Sequence, residues 1–309
     1  MKKQIIYLQY IEEIDSFAIS KEKINSLKEK GIVADIRLPD KLVQSNIRTA
    51  PKVGFLLGQD TIGSTEYYSI SQNYTKAILN TKAKIRFLDY DYAHIQMKNC
   101  HGAILPGGNF DFPESYFISG HNLGLGLGKR FYAYKSVIEA AYKAGKPILG
   151  ICAGAQMLGA ILGKMKMYTH LNNEVSHPDK HKPTKKGEVC MHNLKLFQNT
   201  PLFSIMGIPQ NQDRIAINSR HEQAMVINEL QDYTKAKPIV KMDIYAVSEK
   251  DDLPEIWGNE DVGILCVQGH PEDLAANGNM AMQNIYNYVV SKADEYKQKL
   301  KINSHVKKS

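Results

Sequence analysis

Long hydrophobic runs are missing from this sequence of 309 residues, and no stretch approaches the roughly 20 apolar residues of a membrane-spanning helix. The N-terminus carries two lysines, but its apolar run breaks at Gln9 and then meets Glu12 and Glu13. That pattern is a poor secretory signal. We therefore expect no membrane association and a cytoplasmic location, with a hydrophobic content of 43% that suits a large globular core.

Cysteine is also scarce, with four residues that show no paired spacing: Cys100, Cys152, Cys190 and Cys266. This excludes the spacing patterns of zinc fingers and of disulfide frameworks. A reducing compartment suits such a chain, and it also suits a free thiol that acts as a nucleophile.

The net charge of +7 is unevenly distributed. Residues 164–186 and 292–309 each carry six lysines against two acidic residues, which leaves the remainder close to neutral. We expect the first segment to attract anionic substrates and the second to be a solvated helix end. Neither segment interleaves aromatic with basic residues, so nucleic-acid binding is not predicted.

Strands alternate with helices after residue 50. The predicted elements are strands at 51–57, 84–88 and 103–105 and helices at 71–82, 92–99 and 130–144. This alternation favours an open, mostly parallel, twisted α/β sheet flanked by helices. Residues 58–68 are predicted to form a loop.

Later in the chain the pattern changes to two-residue alternation, which indicates an additional antiparallel sheet region. The predicted elements are strands at 188–196, 214–218, 224–227, 239–248 and 263–268 and a final helix at 275–299. Residues 1–50, with a helix at 20–30 and a strand at 32–38, are predicted to form an ordered appendage to a main domain at 51–309. Oligomer contact and edge covering are both open roles for the appendage.

One strand ends in a small-residue cluster with the pattern Gly150-x-Cys152-x-Gly154. This is the cysteine version of a nucleophile elbow, a sharp strand-to-helix turn in which flanking glycines relieve crowding. The turn would point the thiol at the positive end of the following helix. For this motif alone, a buried cysteine in an ordinary βα turn remains an equal alternative.

Two more strand ends carry matching chemistry. The last predicted strand leads to His270, and Glu272 follows two residues later, where it could orient the ring as the third member of a triad. The strand at 103–105 leads to Pro106-Gly107-Gly108, a loop that can present the N–H of Gly108 to a developing oxyanion. The N–H of Ala153 would supply the second donor. Together the three strand ends predict Cys152, His270 and Glu272 as catalytic residues.

The sequence resembles the class I glutamine amidotransferase-like superfamily, and within it the gamma-glutamyl-gamma-aminobutyrate hydrolases. The stretches that carry this resemblance lie between roughly residues 51 and 290 and are residues 106–108, 150–156, 218–224 and 267–272. The Asn-Ser-Arg-His-Glu-Gln-Ala stretch at 218–224 narrows it to the hydrolase branch. The resemblance implies a flavodoxin-like sheet and cleavage of a gamma-glutamyl amide bond.

The resemblance also implies substrate-binding positions. Gln156 matches a glutamine that helps to hold the glutamyl moiety, and Tyr116 matches a position that borders the active site. We expect His221 to shape the substrate site and Arg220 to bind a substrate carboxylate. Glu222 replaces the usual second histidine of this motif, which puts the identity of the substrate in doubt.

Three functions are consistent with this sequence. The favoured one is a cysteine-dependent hydrolase that releases glutamate from a small gamma-glutamyl amine or peptide. The alternatives are a glutaminase subunit that donates ammonia to an amidotransferase partner and a catalytically silent binding protein. A homo-oligomer stays open.

No metal or organic cofactor is predicted, because triad chemistry needs none. His170, His177 and His181 allow a metal cluster, but a polar lid is favoured since no carboxylate or cysteine lies at ligand spacing. The glycine-rich loop at 109–129 does not follow a strand directly, so a dinucleotide site is not predicted.

Overall fold

The computed structural model describes residues 2–42, 49–108, 112–118, 127–176, 180–183, 188–226 and 237–306. Its strands are β1 (Lys2–Tyr7), β2 (Gln9–Ile11), β3 (Ser16–Ser20), β4 (Ile32–Arg37), β5 (Lys52–Leu56), β6 (Gly58–Ile62), β7 (Thr65–Ser71), β8 (Lys84–Leu88), β9 (Gly102–Leu105), β10 (Ile148–Ile151), β11 (Met167–Tyr168), β12 (Cys190–Leu196), β13 (Arg214–Ser219), β14 (Ala224–Met225), β15 (Asp243–Ser248), β16 (Pro254–Asn259) and β17 (Ile264–Val267). Its α-helices are α1 (Lys21–Glu29), α2 (Gln72–Leu79), α3 (Ala93–Gln96), α4 (Lys129–Lys143), α5 (Ala153–Leu162), α6 (Leu171–Glu174), α7 (Leu202–Met206), α8 (Pro271–Ala276) and α9 (Met280–Val306).

One large sheet organises the described residues. Its nine strands follow the order β13-β12-β15-β16-β17-β10-β9-β5-β8. The strands from β17 to β8 pair in parallel, and those from β13 to β17 pair in antiparallel fashion. The parallel half has the 2-1-3-4-5 order of flavodoxin-like sheets. The predicted open α/β sheet with an additional antiparallel region is therefore confirmed, and the antiparallel strands continue the same sheet.

Helices cover the parallel half in two groups. Helices α3, α4 and α5 pack together, and α2, α8 and α9 pack together with α7. Strands β9, β10 and β17 are buried along their whole length, as expected for short apolar strands with helices on both faces. The carboxyl ends of these three strands meet at one edge, and the three predicted catalytic stretches begin there.

The N-terminal residues form two small sheets. Strand β1 pairs with β4, and β3 pairs with both β2 and β7. The prediction of a loop at 58–68 is wrong, because β6 and β7 form a hairpin that β3 extends. Helix α1 is capped by Ser20, the first residue of the predicted helix, and Gly31 (φ 68°) follows its end. Ile6, Leu8 and Ile24 are part of the main hydrophobic core. The boundary at residue 50 stays a prediction.

The C-terminal region departs from its prediction in two places. The expected single helix at 275–299 is two helices, because Gly278 adopts φ 91° between α8 and α9. The expected strand at 239–248 begins only at Asp243, because the backbone N–H groups of Ile239 and Val240 donate to Leu162 at the end of α5 instead. Within the described ranges, none of the helices combines the length and apolar character that crossing a bilayer requires.

Candidate active site

Cys152 lies at the turn between β10 and α5 and has φ 50° and ψ −114°, a conformation that side chains rarely adopt. The atoms around Gly150 and Gly154 leave no space for a side chain at either position. A Cβ on Gly150 would lie 2.7 Å from the carbonyl oxygen of Gly154, and one on Gly154 would lie 2.1 Å from that of Leu105. The expected nucleophile-elbow geometry is thus present. It places Cys152 at the N-terminus of a buried helix, where backbone N–H groups carry partial positive charge.

The loop after β9 lies directly against this cysteine. A Cβ on Gly107 would be 3.0 Å from Cys152 Cβ and 3.0 Å from His270 Cε1. Glycine at this position therefore allows the thiol and the imidazole to approach the same point. Gly108 has φ 136°, and with Cys152 and Ala153 it lines one cleft. The two backbone positions expected to stabilise an oxyanion are thus on the same cleft as the thiol.

Helix α4 holds this loop in place through residues that the sequence did not single out for this role. The buried Arg130 donates to the carbonyl oxygen of Gly107 at 2.7 Å and to Tyr134 Oη at 3.1 Å. Tyr134 in turn donates to the carbonyl oxygen of Pro106 at 2.7 Å. The sequence shows only an arginine and a tyrosine four residues apart, and therefore on one face of a helix, which does not reveal their contacts with the loop.

On the other side of the loop, the backbone N–H of Gly107 donates to Tyr74 Oη at 3.0 Å. Tyr74 is on α2 and its hydroxyl is buried. With the groups on α4, this contact fixes both peptide groups of Gly107, so the loop is set before a substrate arrives.

His270 and Glu272 are brought together as predicted. Nδ1 of His270 lies 2.6 Å from Oε1 of Glu272, and both side chains are buried. Burial opposes a charge on the ring, but Glu272 and the hydrogen-bonded Cys152 outweigh it and raise the pKa of His270 to about 10. The arrangement can keep a proton on the imidazole next to the sulfur.

Asp273, which follows Glu272 on α8, connects the segments around His270. Asp273 accepts hydrogen bonds from Asn73 Nδ2 at 2.8 Å and from Asn218 Nδ2 at 2.7 Å, and it pairs with Arg220. The backbone N–H of His270 also donates to the carbonyl oxygen of Asn218 at 3.0 Å. The end of β13 and the start of α8 are therefore joined beside the histidine.

The thiol opens into a cleft of about 670 Å³. Its described lining is Gly108, Phe112, Cys152, Ala153, Gln156, Lys182, Arg220, His221, Glu222 and Gln223. Gln156, one turn after the cysteine, is buried, and its amide nitrogen donates to the carbonyl oxygen of Gln223 at 2.8 Å. Its side chain is thus held in the wall of the cleft.

Charged groups surround the cleft. Lys182 forms an ion pair with Glu222, and Arg220 forms one with Asp273, while the side chains of Lys182, Arg220 and Glu222 remain about half exposed. One lysine of the basic segment 164–186 is therefore on the cleft. Arg220 is on the cleft as predicted, although a carboxylate of the protein already contacts it.

Two predicted substrate-binding residues make their main side-chain contacts within the protein. Tyr116 packs against Phe131 of α4, with ring centroids 6.2 Å apart, and it is not among the described residues that line the cleft. His221 lines the cleft, but its ring nitrogens approach the carbonyl oxygen of Gln223 at 3.0 Å and Glu255 Oε1 at 3.3 Å. Residues 109–111 and 119–126 of the glycine-rich loop and His177 are outside the described residues.

The remaining cysteines lack such surroundings. Burial raises the pKa of Cys100 to about 11 and raises the pKa of Cys266 well above its usual value. Cys152, with an exposed fraction of 9%, is the most accessible of the four. Among the four cysteines, Cys152 is therefore distinguished by its position on the cleft.

The profile of the Peptidase C26 family matches residues 56–272, which is more than half of the chain. The match includes the carboxyl ends of β9, β10 and β17, where the predicted catalytic stretches begin. The chain belongs to the Peptidase C26 family. Membership supports a cysteine-dependent hydrolase of the glutamine amidotransferase-like class, which makes a hydrolase-type enzyme the general function of this member.

Two named relatives have low sequence identity to this chain. This Peptidase C26 chain is 28% identical to Protein NtpR of Enterococcus hirae over 190 residues, which are 60% of this chain and 72% of that protein. It is 32% identical over 140 residues to the putative glutamine amidotransferase-like protein YvdE of Lactococcus lactis, which covers 44% of this chain and only 50% of that protein.

A solved structure shares the fold of this Peptidase C26 member. It is that of a putative GMP synthase protein from Thermoplasma acidophilum, with a TM-score of 0.52 and 16% identity over 82% of this chain and 99% of that one. At this identity the likeness shows the fold alone.

Proposed function

We propose that the chain cleaves the gamma-glutamyl amide bond of a small gamma-glutamyl amine or peptide and releases glutamate. The observation that carries this proposal is the convergence at Gly107. There, Cys152 and His270 both lie within 3.0 Å of the point that a Cβ would occupy, and Glu272 holds the far side of the ring at 2.6 Å. The motif at residues 218–224 supports the choice of the hydrolase branch.

In the proposed reaction, Cys152 Sγ forms a bond to the side-chain carbonyl carbon of the substrate. The N–H groups of Gly108 and Ala153 stabilise the negative charge on the carbonyl oxygen. His270 gives its proton to the departing amine as the carbon–nitrogen bond breaks, which leaves a thioester. His270 then takes a proton from water, and the hydroxide attacks the thioester and restores the thiolate as glutamate leaves.

Charges around the cleft support an amino-acid substrate. The glutamyl group carries an ammonium and a carboxylate on one carbon. Glu222 offers a carboxylate to the ammonium, while Lys182 and Arg220 offer cations to the carboxylate, and all three line the cleft. Their pairing within the protein can be exchanged for pairing with the substrate, because both ion pairs are partly exposed and therefore weak.

The test measures glutamate release from glutamine, gamma-glutamyl-gamma-aminobutyrate, gamma-glutamyl polyamines and gamma-glutamyl peptides. Wild type is compared with Cys152→Ala and with Cys100→Ala, a buried cysteine outside the cleft that serves as the matched control. We expect turnover of at least one gamma-glutamyl amide, a loss of roughly 10⁴-fold or more in Cys152→Ala, and little change in Cys100→Ala. A thiol alkylator should modify Cys152 before the other three cysteines.

The other outcomes identify the alternatives. Turnover of glutamine alone, rising when a partner enzyme is added, would replace the hydrolase with an ammonia-donating component of an amidotransferase. An absence of turnover with all substrates, together with a Cys152 that resists alkylation, would overturn catalysis and favour a binding protein.

A further inference from the structure

Three histidines meet one glutamate in the antiparallel half of the sheet. His192 is on β12, Glu255 is on β16, His221 follows β13, and His181 is on the short segment 180–183. All four side chains are buried, and the exposed fraction is 0% for the glutamate and at most 5% for the histidines. A bare carboxylate at such a position is costly unless cations or hydrogen-bond donors surround it.

The distances within this histidine–glutamate cluster match those of a coordination sphere. Oε1 of Glu255 lies 3.3 Å from His181 Nδ1, 3.2 Å from His192 Nε2 and 3.3 Å from His221 Nε2. Tetrahedral zinc with bonds of about 2.0–2.1 Å places neighbouring ligand atoms about 3.3 Å apart. One ligand atom each from His181, His192 and Glu255 lies within 4.8 Å of the other two.

The outer contacts decide which ring nitrogens carry hydrogens. Nε2 of His181 lies 2.8 Å from a carboxylate oxygen of Asp251, and Nδ1 of His221 lies 3.0 Å from the carbonyl oxygen of Gln223. Both partners only accept hydrogen bonds, so these nitrogens must donate. In the neutral rings, the opposite nitrogens then turn a lone pair toward Glu255, which is repulsive unless a metal ion or a second ring proton lies between them.

Two further nitrogens support this interpretation. Among the described residues, neither His181 Nδ1 nor His192 Nε2 has a hydrogen-bond partner of acceptable geometry, although each faces Glu255. Metal-binding histidines characteristically donate their outer N–H to a carboxylate or a backbone carbonyl, as His181 and His221 do here. His181 thus has both the inner and the outer contacts of a metal ligand, whereas Nδ1 of His192 has no hydrogen-bond partner among the described residues.

We propose that His181, His192 and Glu255 bind a divalent transition metal, for which imidazole and carboxylate ligands favour zinc. His221 is a neighbour of this site through its contact with Glu255. A water molecule would complete a tetrahedral set around the three protein ligands. The proposal does not depend on the hydrolase reaction, and it replaces the expectation of a chain without a metal.

The ion would stabilise the wall of the catalytic cleft. The carbonyl oxygen of Gln223 accepts hydrogen bonds from both His221 and Gln156, so it joins the cluster to the cleft. The carbonyl oxygen of His181 accepts from Ser219 Oγ at 2.6 Å and from the N–H of His221 at 3.0 Å, which fixes segment 180–183 to the end of β13. Because His221 also lines the cleft, the cluster lies directly behind the cleft wall.

The first experiment measures metal content in the full chain, purified without a histidine tag, and then titrates the metal-depleted protein with zinc and with cobalt(II). We expect close to one equivalent of bound metal, a higher melting temperature with zinc, and a visible cobalt spectrum of tetrahedral nitrogen and oxygen ligands.

Variants locate the ion. His192→Ala should weaken zinc binding about 100-fold or more, and Asp251→Asn, which removes an outer contact, should weaken it by about 10–100-fold. His170→Ala, an exposed histidine nearby, and Cys152→Ala should bind as tightly as wild type.

Three results would overturn the proposal. The first is a wild-type chain that purifies without metal and gives no tetrahedral cobalt spectrum, which decides the question even if the variants fail to fold. The second is equal zinc affinity in wild type and in a folded His192→Ala. The third is a cobalt spectrum with a thiolate band that disappears in Cys152→Ala, because the ion would then be on the catalytic thiol.

Discussion

In the parallel half of the sheet, one imidazole lies between a thiol and a carboxylate, whereas in the antiparallel half three imidazoles surround a single carboxylate oxygen. His270 has a carboxylate at 2.6 Å on one side and Cys152, which lines the cleft, on the other. The ring nitrogens around Glu255 are 3.2–3.3 Å from it. The first arrangement leaves a proton free to move, and the second is suited to holding an ion still.

The two sites also differ in how the backbone builds them. The catalytic side depends on glycines, on the unusual conformation of Cys152, and on a histidine and glutamate only two residues apart. The cluster is assembled from residues spread over positions 181–255. A site made of local turns can therefore be recognised from spacing, while a site made by strand pairing cannot.

The same substitution at the two glutamates should separate the sites most strongly. Glu272→Gln removes the charge that holds and stabilises the His270 imidazolium, so we expect kcat to fall by about 10³–10⁴-fold. Glu255→Gln should leave kcat within about tenfold, since it does not touch the reacting atoms. Steady-state kinetics on the substrate found above provide the measurement. Equal losses in both variants would show that the two sites are not functionally distinct.

Glu255→Gln should also lower the stability of the protein. Glu255→Gln removes the charge at the centre of a fully buried group of histidines, and we expect it to lower the free energy of unfolding by about 3 kcal/mol. Glu139→Gln, an exposed residue paired with Lys135 on α4, serves as the control and should change it by about 0.5 kcal/mol or less. Denaturant melts at fixed zinc concentration provide the measurement. An unchanged Glu255→Gln would contradict a stabilising role for the cluster.

Replacing Gly107 by alanine tests whether the absence of a side chain at this position is needed for activity. Gly107 is outside the left-handed region, so alanine fits its backbone, but the new Cβ would be 3.0 Å from Cys152 Cβ and His270 Cε1. We expect Gly107→Ala to lower kcat by about 10–100-fold by displacing these side chains. Gly128→Ala, where a Cβ meets nothing within 4 Å, should keep wild-type activity. Full activity in Gly107→Ala would contradict the proposed convergence.

The last prediction concerns pH. The pKa of His270 is raised from 6.5 to about 10, so its contribution to stability is fully present below about pH 6.5 and is lost as pH rises toward 10. The free energy of unfolding of wild type minus that of His270→Gln should therefore decrease across this window. Urea melts at several pH values between 6 and 10 would measure it. A difference that stays constant or grows with pH would contradict an imidazolium at neutral pH.

The sequence allowed the parallel half to be predicted well. Short apolar strands ended at glycines or at His270, and these ends identified the elbow, the backbone loop and the pair His270–Glu272. The hairpin of β6 and β7 was missed because its polar residues and Gly63 are typical of a loop, and only pairing with β3 makes it a strand pair. The support from Arg130 was missed because nothing local shows that its side chain turns back to the loop after β9.

The histidine–glutamate cluster was missed for a related reason. The sequence groups His181 with His170 and His177, its neighbours along the chain, whereas the structure places it beside His192 and Glu255. These partners meet through antiparallel pairing of β12, β15 and β16. Residue type alone gives no hint of that pairing.

The strand order carries a consequence for how the protein is made. Among the described strands, β17 is the last in the chain, yet it lies in the middle of the sheet, between β16 and β10. During synthesis the two halves of the sheet must therefore wait with open edges until Ile264–Val267 can enter, and such edges are prone to pair with other chains. The same insertion delivers His270 to a cysteine that was synthesised more than a hundred residues earlier. A growing chain therefore has Cys152 long before His270, and the proposed catalytic pair can form only when the sheet is complete.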